Sequence, residues 1–301
     1  MKKKLLTPDS GIKILIFGTD GMLGHKFYEI FKKNFSETYG TTKNNNSSIK
    51  DNKIITKVNV INFEKTLKLI KKIKPEYIIN CTGLIKQKLN RDNNSKIFLV
   101  NAKFPIFLGR YAKKMKYKHI HFSTDCVFDG KRGNYSEKNK TNAKDVYGKS
   151  KISAEKKLKN NSLVIRTSII GHEKFKSIKS LLNWFLSQKK ECVGFNKAFF
   201  SGVTTLELAK ILLRIIQKNK FQKGIYNLSN SRISKFKLLN LIKDIYKKKI
   251  DIKVNNEFYI DRSLSNKKFK EKFKEHISPW NIQIMEMYNN YKKKKKLHKY
   301  L

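Results

Sequence analysis

A short apolar run, IKILIF at residues 12–17, leads directly into a glycine-spaced turn, GTDGMLG at residues 18–24. No other feature restricts the fold of this chain more. The run has strand length rather than helix length, and its single lysine suits a strand covered on both faces. Strands of that kind belong to parallel sheets, which need helices on both sides. The glycines let the chain reverse tightly and bring a helix amino end close to the strand it has just left. The same alternation then repeats. Strands are expected at 12–17, 37–42, 57–60, 76–80, 118–123 and 163–166, and helices at 22–33, 62–73, 97–115 with Pro105 inside it, and 147–159. Polar stretches at 43–53 and 129–145 read as loops. The expected fold class is α/β, an open and mostly parallel sheet with helices on both faces.

Past Ile170 the pattern changes. Helices are expected at 177–188, 203–217 with Thr204 or Thr205 as cap, 234–247, 264–275 and 280–289, with one short strand at 225–228. This reads as a smaller α+β part. The expected division is a cofactor domain over 1–170 and a substrate-binding cap over 171–301, with 201–220 packing back on the first domain.

The chain of 301 residues has 68 Lys and Arg against 23 Asp and Glu, a formal net charge of +45. The lysines are spread between nearly all apolar segments, mixed with asparagine, which is the signature of solvated faces rather than of a binding arm. Such a polycation attracts nucleic acid or an anionic membrane through nonspecific charge. No zinc-finger spacing or RNA-binding signature stands above that background. The most concentrated patch is the terminal YKKKKKLHKYL. Cys81, Cys126 and Cys192 are too few and too scattered for a disulfide framework or a thiolate metal site, so no metal is expected. The basic start lacks the apolar core of a signal peptide, no apolar run is long enough to span a membrane, and the cytoplasm is the expected compartment.

In the glycine turn, Gly18, Asp20, Gly21, Met22, Leu23 and Gly24 sit where small residues and helix N–H groups can approach a pyrophosphate. The spacing is GxxGxxG, not the GxGxxG fingerprint. The second strand is followed by Thr41, Thr42 and Lys43, where a site for NAD carries an acid. Hydroxyls and a cation suit a 2′-phosphate, so NADPH is expected ahead of NADH. Asn59 and Val60 are placed to flank an adenine. Asn80, which ends the strand EYIIN, and Cys81, Thr82 and Gly83, which follow it, are placed along the ribose and pyrophosphate.

The chemical end lies further on. Tyr147 and Lys151, in YGKSK, share a helix face four residues apart. An ammonium there stabilises a phenolate, which makes Tyr147 a proton donor to a carbonyl. HFSTDCVFDG at 121–130 delivers Ser123 and Thr124 to a strand end, and the Thr124 hydroxyl is placed to bond the same oxygen. Burial in a cleft between the two parts is expected to strengthen these contacts.

GTDGMLG, NCTG (80–83), VNAKFP (100–105), STDCVFDG (123–130), YGKSK (147–151), RTSIIG (166–171), SGVTTLELA (201–209) and IDRSL (260–264) occur in this order. Together they resemble the extended short-chain dehydrogenase/reductases of the dTDP-4-dehydrorhamnose reductase-like (RmlD-type) branch. The resemblance implies a Rossmann-type domain and assigns catalysis to Thr124, Tyr147 and Lys151. It places Asn101 in support of the lysine or nicotinamide region, and Ser123 and Ser168 along the cofactor. It implies substrate contacts from the C-terminal part and from loops such as 84–92; Arg262, Lys86 and Lys88 are the expected cations for the substrate phosphates, because guanidinium pairs well with phosphoryl oxygens, and Asp125 is a further expected contact. The implied reaction is NADPH-dependent reduction of the 4-keto group of a nucleotide-linked 6-deoxyhexose for surface polysaccharide. Asp125-Cys126 stands where related dehydratases carry Asp-Glu, which disfavours elimination. A UDP-linked N-acetylated deoxysugar as substrate of a reductase or epimerase, a non-catalytic NADP-binding regulatory subunit and a homodimer all stay open.

Overall fold

The structure is a computed structural model that describes residues 11–85, 94–174 and 180–297, with the side chains of Asn94 and of 294–297 left aside. Its contacts divide the chain into two units. The first takes Met1–Ser123, Asp145–Ile165 and Leu212–Ile225, and the second takes Thr124–Lys144, Arg166–Ile211 and Tyr226–Leu301. Sequence alone suggests one boundary at residue 170, whereas the chain passes between the units several times.

The first unit is built on the expected strand. β1 (Ile14–Phe17) is buried along its whole length. It pairs in parallel with β2 (Thr38–Thr41) on one side and β4 (Tyr77–Asn80) on the other, so that Phe17 stands level with both Thr41 and Asn80. β3 (Ile54–Ile55) runs parallel to β2, and β5 (Lys118–Ser123) runs parallel to β4. With β6 (Ser162–Arg166) and the strand Gly224–Asn227, the order of the seven-stranded sheet is β3-β2-β1-β4-β5-β6 and then Gly224–Asn227. Strand order reverses between β1 and β4. In open α/β sheets the carboxyl ends beside such a reversal are where ligands bind. The fold class is therefore the expected one, a Rossmann-type, mostly parallel sheet with flanking helices.

α1 (Gly24–Lys32) follows the glycine turn, and α2 (Phe63–Ile73) is capped by Asn62, whose side chain accepts from the Lys65 N–H at 3.0 Å. α3 (Asn94–Phe98) continues through a π-helical turn, Leu99–Lys103, into α4 (Phe104–Lys114). Pro105 has no N–H to return to the carbonyl of Asn101, four residues back, and the widened turn stands at that gap. α5 (Val146–Leu158) begins at Asp145, which caps the Gly148 N–H at 2.9 Å. One face of the sheet is sealed by Leu15, Phe17, Ile70, Ile78, Phe104 and Leu108, with Phe17 and Phe104 meeting edge to face at 5.3 Å.

The third strand departs from expectation. It lies at Ile54–Ile55, not at 57–60, because Lys57 adopts a left-handed backbone with φ of 58° and interrupts the regular ladder, leaving the Val58 N–H to donate to the Thr42 carbonyl at 2.9 Å. Val60 instead packs against the core beside α2.

In the second unit, Leu182, Phe185, Leu238, Leu239, Ile242, Trp280 and Ile284 form a core of their own, with Trp184 packed against it. Ala198–Phe200 is the centre of a three-stranded sheet flanked by Ile233–Ser234 and Ile260–Asp261. Glu191–Phe195 pairs in parallel with Asp251–Asn255. These strands were not legible in the sequence. They are short, and lysine and asparagine interrupt their alternation. The helix Thr205–Gln217 starts where Thr204 accepts from the Glu207 N–H at 3.1 Å, which makes Thr204 the cap. The last helix, Trp280–Leu297, outruns the expected 280–289 because lysine is a good helix former even without an apolar face. Among the described residues no helix is long and apolar enough to cross a membrane.

Phe104 is fully buried between α2, α4 and β1. Phe104→Ala is expected to lower stability by about 3–5 kcal/mol, read as a drop in the urea midpoint.

Candidate active site

The glycine turn is held by close packing. Gly18 has φ of +84°, and a Cβ there would lie 3.0 Å from Cγ2 of Thr82 and 3.2 Å from its nitrogen. The turns that follow β1 and β4 therefore nest against each other. Gly24 is tighter still, since a Cβ would stand 2.1 Å from the Gly18 carbonyl oxygen. This contact lets α1 start directly over the end of β1, with Met22 and Leu23 leading into it. The result is a cradle of small residues at a helix amino end, which fits the pyrophosphate of a dinucleotide.

Other predicted cofactor residues have duties within the protein. Asp20 accepts from the Thr42 hydroxyl, from Asn44 Nδ2 at 2.9 Å and from Ser48 Oγ at 3.1 Å. Burial disfavours its charge, yet the bonds from Thr42, Ser48 and Asn44 outweigh this and hold its carboxyl below the ordinary value. Asp20 thus ties the polar 42–48 loop to the glycine turn. Lys43, beside it, is exposed. Asn59, also exposed, lines a groove of about 390 Å³ with Ile55, Val58 and Leu69. The Cys81 N–H donates to the Phe17 carbonyl at 3.0 Å, and burial pushes its thiol up, out of the reactive range. Ser123 ends β5 with a buried hydroxyl that has no hydrogen-bond partner among the described residues. Lys86 and Lys88 lie outside the described residues.

Four elements of the first unit meet at Lys151. Its Nζ donates to the Phe122 carbonyl at 3.0 Å, and only 6% of the residue is exposed. A Cβ on Gly83 would lie 3.7 Å from that nitrogen and 3.6 Å from Oδ1 of Asn101. Asn101 accepts from the Leu84 N–H at 2.8 Å and donates to the Leu84 carbonyl at 3.0 Å and to Ser150 Oγ at 3.3 Å. Ser150 in turn donates to the Tyr147 carbonyl at 2.7 Å. Tyr147 stands in the first turn of α5, placed there by the Asp145 cap. Burial depresses the Lys151 ammonium to about 8, with Glu155 opposing the shift.

Behind Lys151 lies a layer in which sequence reading named Asn80 and Thr82 for the cofactor but passed over His121. The Thr82 N–H donates to Asn80 Oδ1 at 3.1 Å, and the Thr82 hydroxyl does so at 2.6 Å. A backbone N–H can only donate, so the Asn80 amide is turned with its Nδ2 towards His121 Nδ1, 3.3 Å away. His121 Nδ1 is then an acceptor and its proton sits on Nε2. Burial, with Lys151 and His119 nearby, holds His121 well below the ordinary histidine range, so it stays neutral. The signal in the sequence was the pair of histidines two apart on one strand, His119 and His121, which share a sheet face.

In the second unit, Thr124 caps a short 3₁₀ turn, Asp125–Val127. Its hydroxyl accepts from the Cys126 N–H at 3.1 Å and donates to Asp125 Oδ1 at 3.1 Å. Arg262 Nε donates to the Phe128 carbonyl at 2.9 Å, which brings Arg262 beside the same turn. Ser168 offers its carbonyl to the Val203 N–H at 3.0 Å. His172 stacks on Tyr291 at 3.9 Å in a packing role. Among the described residues no group of acidic, histidine and cysteine side chains is arranged to hold a metal ion.

Two outcomes test this geometry. Gly24→Ala is expected to lower stability by about 1–3 kcal/mol in denaturant titration, because α1 must move off the Gly18 carbonyl. For Lys151, the folded chain releases a proton near pH 8 and the unfolded chain near the ordinary value of 10.5. Between those pH values the unfolded state binds more protons, so this residue makes stability rise with pH. Lys151→Met should therefore show a shallower rise than the natural chain across that window, by up to about 1.4 kcal/mol per pH unit.

Residues 12–293 match the RmlD substrate binding domain family. A dTDP-4-dehydrorhamnose reductase of Aggregatibacter actinomycetemcomitans is 26% identical over 221 residues, spanning 68% of this chain and 68% of that protein. The methionine adenosyltransferase 2 subunit beta of Xenopus tropicalis is 23% identical over 256 residues, spanning 78% of this chain and 72% of its own length. The crystal structure of a dTDP-4-dehydrorhamnose reductase from Bacillus anthracis in complex with NADP has the same fold, with a TM-score of 0.76 at 19% identity over 93% of this chain and 99% of that one. The family match runs from just before β1 to within the last helix, and the chain belongs to the RmlD substrate binding domain family.

Proposed function

We propose that this chain is an NAD(P)H-dependent oxidoreductase that reduces a keto group of a nucleotide-linked sugar. The finer reading is the 4-keto group of a 6-deoxyhexose. The observation that carries it is the buried Lys151 ammonium, fixed on the Phe122 carbonyl beside Gly83 and four residues from Tyr147 on α5. A buried lysine is kept in a fold for a reason, since desolvation disfavours its charge. Family membership and the similarity to a dTDP-4-dehydrorhamnose reductase support the same reading.

The cradle at Gly18, Gly21 and Gly24 would hold the pyrophosphate, and Ser123, Asn101 and Lys151 would stand along the nicotinamide end. The cofactor, when bound, supplies the hydride. Tyr147 gives its phenolic proton to the substrate oxygen. Lys151 holds the tyrosine and the cofactor ribose, and its positive charge favours the phenolate left behind. The resemblance also assigns Thr124 to catalysis, and within the second unit its hydroxyl donates to Asp125 Oδ1 at 3.1 Å. Cys126 takes no proton, since burial first, and Asp125 next, push its thiol up to about 12 while Arg262 opposes. This supports reduction over elimination. NADPH is placed ahead of NADH, because exposed Lys43 offers a cation at the end of β2 and the Asp20 carboxylate is engaged by the 42–48 loop. The product would serve surface-glycan assembly in the cytoplasm.

A second reading is a non-catalytic regulatory subunit, favoured by the similarity to methionine adenosyltransferase 2 subunit beta. Turnover separates the two. A panel of dTDP-, UDP- and GDP-linked 4-keto sugars with NADPH should give a reduced product detectable by mass spectrometry. Tyr147→Phe should lower the rate by about 10²–10⁴-fold and leave NADPH binding intact. Undiminished turnover in that variant would remove Tyr147 from the mechanism, and a panel without any product would leave the regulatory reading.

A further inference from the structure

The last helix, Trp280–Leu297, has two unlike faces. Trp280, Gln283, Ile284, Met287, Tyr288 and Tyr291 follow one another along a single helical stripe. Trp280, Ile284 and Met287 belong to the core of the second unit. Gln283 is fully buried, accepts from the Thr204 N–H at 2.8 Å and donates to the Ser278 carbonyl at 2.7 Å. Tyr288 meets Tyr246 at 4.7 Å, and Tyr291 stacks on His172 at 3.9 Å. These contacts fix which way the helix is turned and leave the opposite stripe in water.

That outward stripe runs through Ile282, Met285, Asn289, Lys292 and Lys293, all exposed. Lysine and asparagine fill most solvated positions of this chain, yet Ile282 and Met285 are 46% and 44% exposed. They lie one turn apart on the same side of the helix, so the two apolar side chains are neighbours. Two turns further on the stripe becomes basic at Lys292 and Lys293, and in the sequence the lysines continue to residue 296. The densest basic patch of the chain is thus the continuation of an exposed apolar stripe. The helix holds a single acid, Glu286, and Lys210 neutralises it at 2.7 Å. No unpaired carboxylate on the helix opposes its lysines.

A stripe that is apolar at one end and cationic at the other fits a partner with the same two chemistries. A bilayer with anionic headgroups offers both, since apolar side chains enter the headgroup layer while lysine stems lie along it and their ammonium groups stay among the phosphates. Neither signal is sufficient alone, because two apolar side chains bury little area and surface lysines act only within a Debye length. A nucleic acid would use the lysines and leave Ile282 and Met285 in water. We propose that the outward stripe of this helix docks the protein on the surface of an anionic phospholipid bilayer, with Ile282 and Met285 entering the headgroup layer and the lysine run from Lys292 supplying the charge. The docking is peripheral, and it does not depend on the reductase reading.

The test is co-sedimentation of the full chain, in about 0.15 M salt, with vesicles of phosphatidylcholine alone and of equal parts phosphatidylcholine and phosphatidylglycerol. The chain should bind the mixed vesicles and not the neutral ones. Lys292→Gln with Lys293→Gln should weaken that binding about tenfold or more. Lys71→Gln with Lys72→Gln, which removes the same charge from exposed positions on α2, should weaken it less than about twofold. Ile282→Ser with Met285→Ser should weaken it severalfold without changing the charge, and Ile282→Trp should strengthen it, since tryptophan favours the membrane interface. Equal losses from the α2 pair and the helix pair would overturn the proposal, because charge spread over the whole chain would then account for the binding. Binding indifferent to Ile282 and Met285 would overturn it as well. So would a DNA duplex that is bound through Lys292 and Lys293 and displaces the vesicles, which would assign the helix to nucleic acid. An unchanged melting temperature excludes misfolding, and if the serine pair fails that control the outcome rests on Ile282→Trp, where no gain in affinity counts against docking.

Discussion

The chemistry proposed for this protein depends on one buried ammonium. Lys151 can stay in place because the Phe122 carbonyl accepts a hydrogen bond from its ammonium and the turn at Gly83 leaves no side chain in its way. α5, β5, the turn after β4 and the π-helical turn carrying Asn101 each contribute a contact within that junction. None of these contacts is large in net energy, since a single hydrogen bond contributes on the order of 1 kcal/mol. Their combined effect is to leave Lys151 a single direction to point.

Glycine at particular places permits this. Close nesting of Gly18 on Thr82, and of Gly24 on Gly18, draws together two turns at the reversal of strand order. A methyl group at Gly18 would press on Thr82 in the neighbouring turn, and one at Gly24 would push α1 off the Gly18 carbonyl. The space left open at such a reversal is bounded by helix N–H groups, which suit an anion, rather than by side chains. Polar residues around it carry structure as well as function. Asp20 holds the 42–48 loop, and Asn80 sets the Thr82 turn while resting on a neutral His121.

Charge has to be read locally in a chain this basic. Most of its lysines lie in water and say little about function. Lys151 and Lys235 differ because burial acts on each, and in each case neighbouring groups set what the charge can do. Arg262 and Arg232 make the same point, since Arg232 is neutralised by Asp261 whereas Arg262 rests on the Phe128 carbonyl.

Period and punctuation in the sequence were enough for most of the first unit. IKILIF had to be a covered strand because its apolar residues need protein on both faces. Tyr147 with Lys151 could be placed on one helix face by spacing alone, whereas the Asp145 cap that starts this helix emerged only from the structure. Tertiary structure decided what spacing cannot reach. The strand at Ile54–Ile55 depended on a left-handed Lys57, and the short strands of the second unit depended on partners far away in the chain. Asp20 binds a loop more than twenty residues away, and Arg232 meets the Asp261 carboxylate from a distant part of the chain. Periodicity is a property of one segment and is visible in it, whereas desolvation and pairing across the chain exist only once separate segments share the same space.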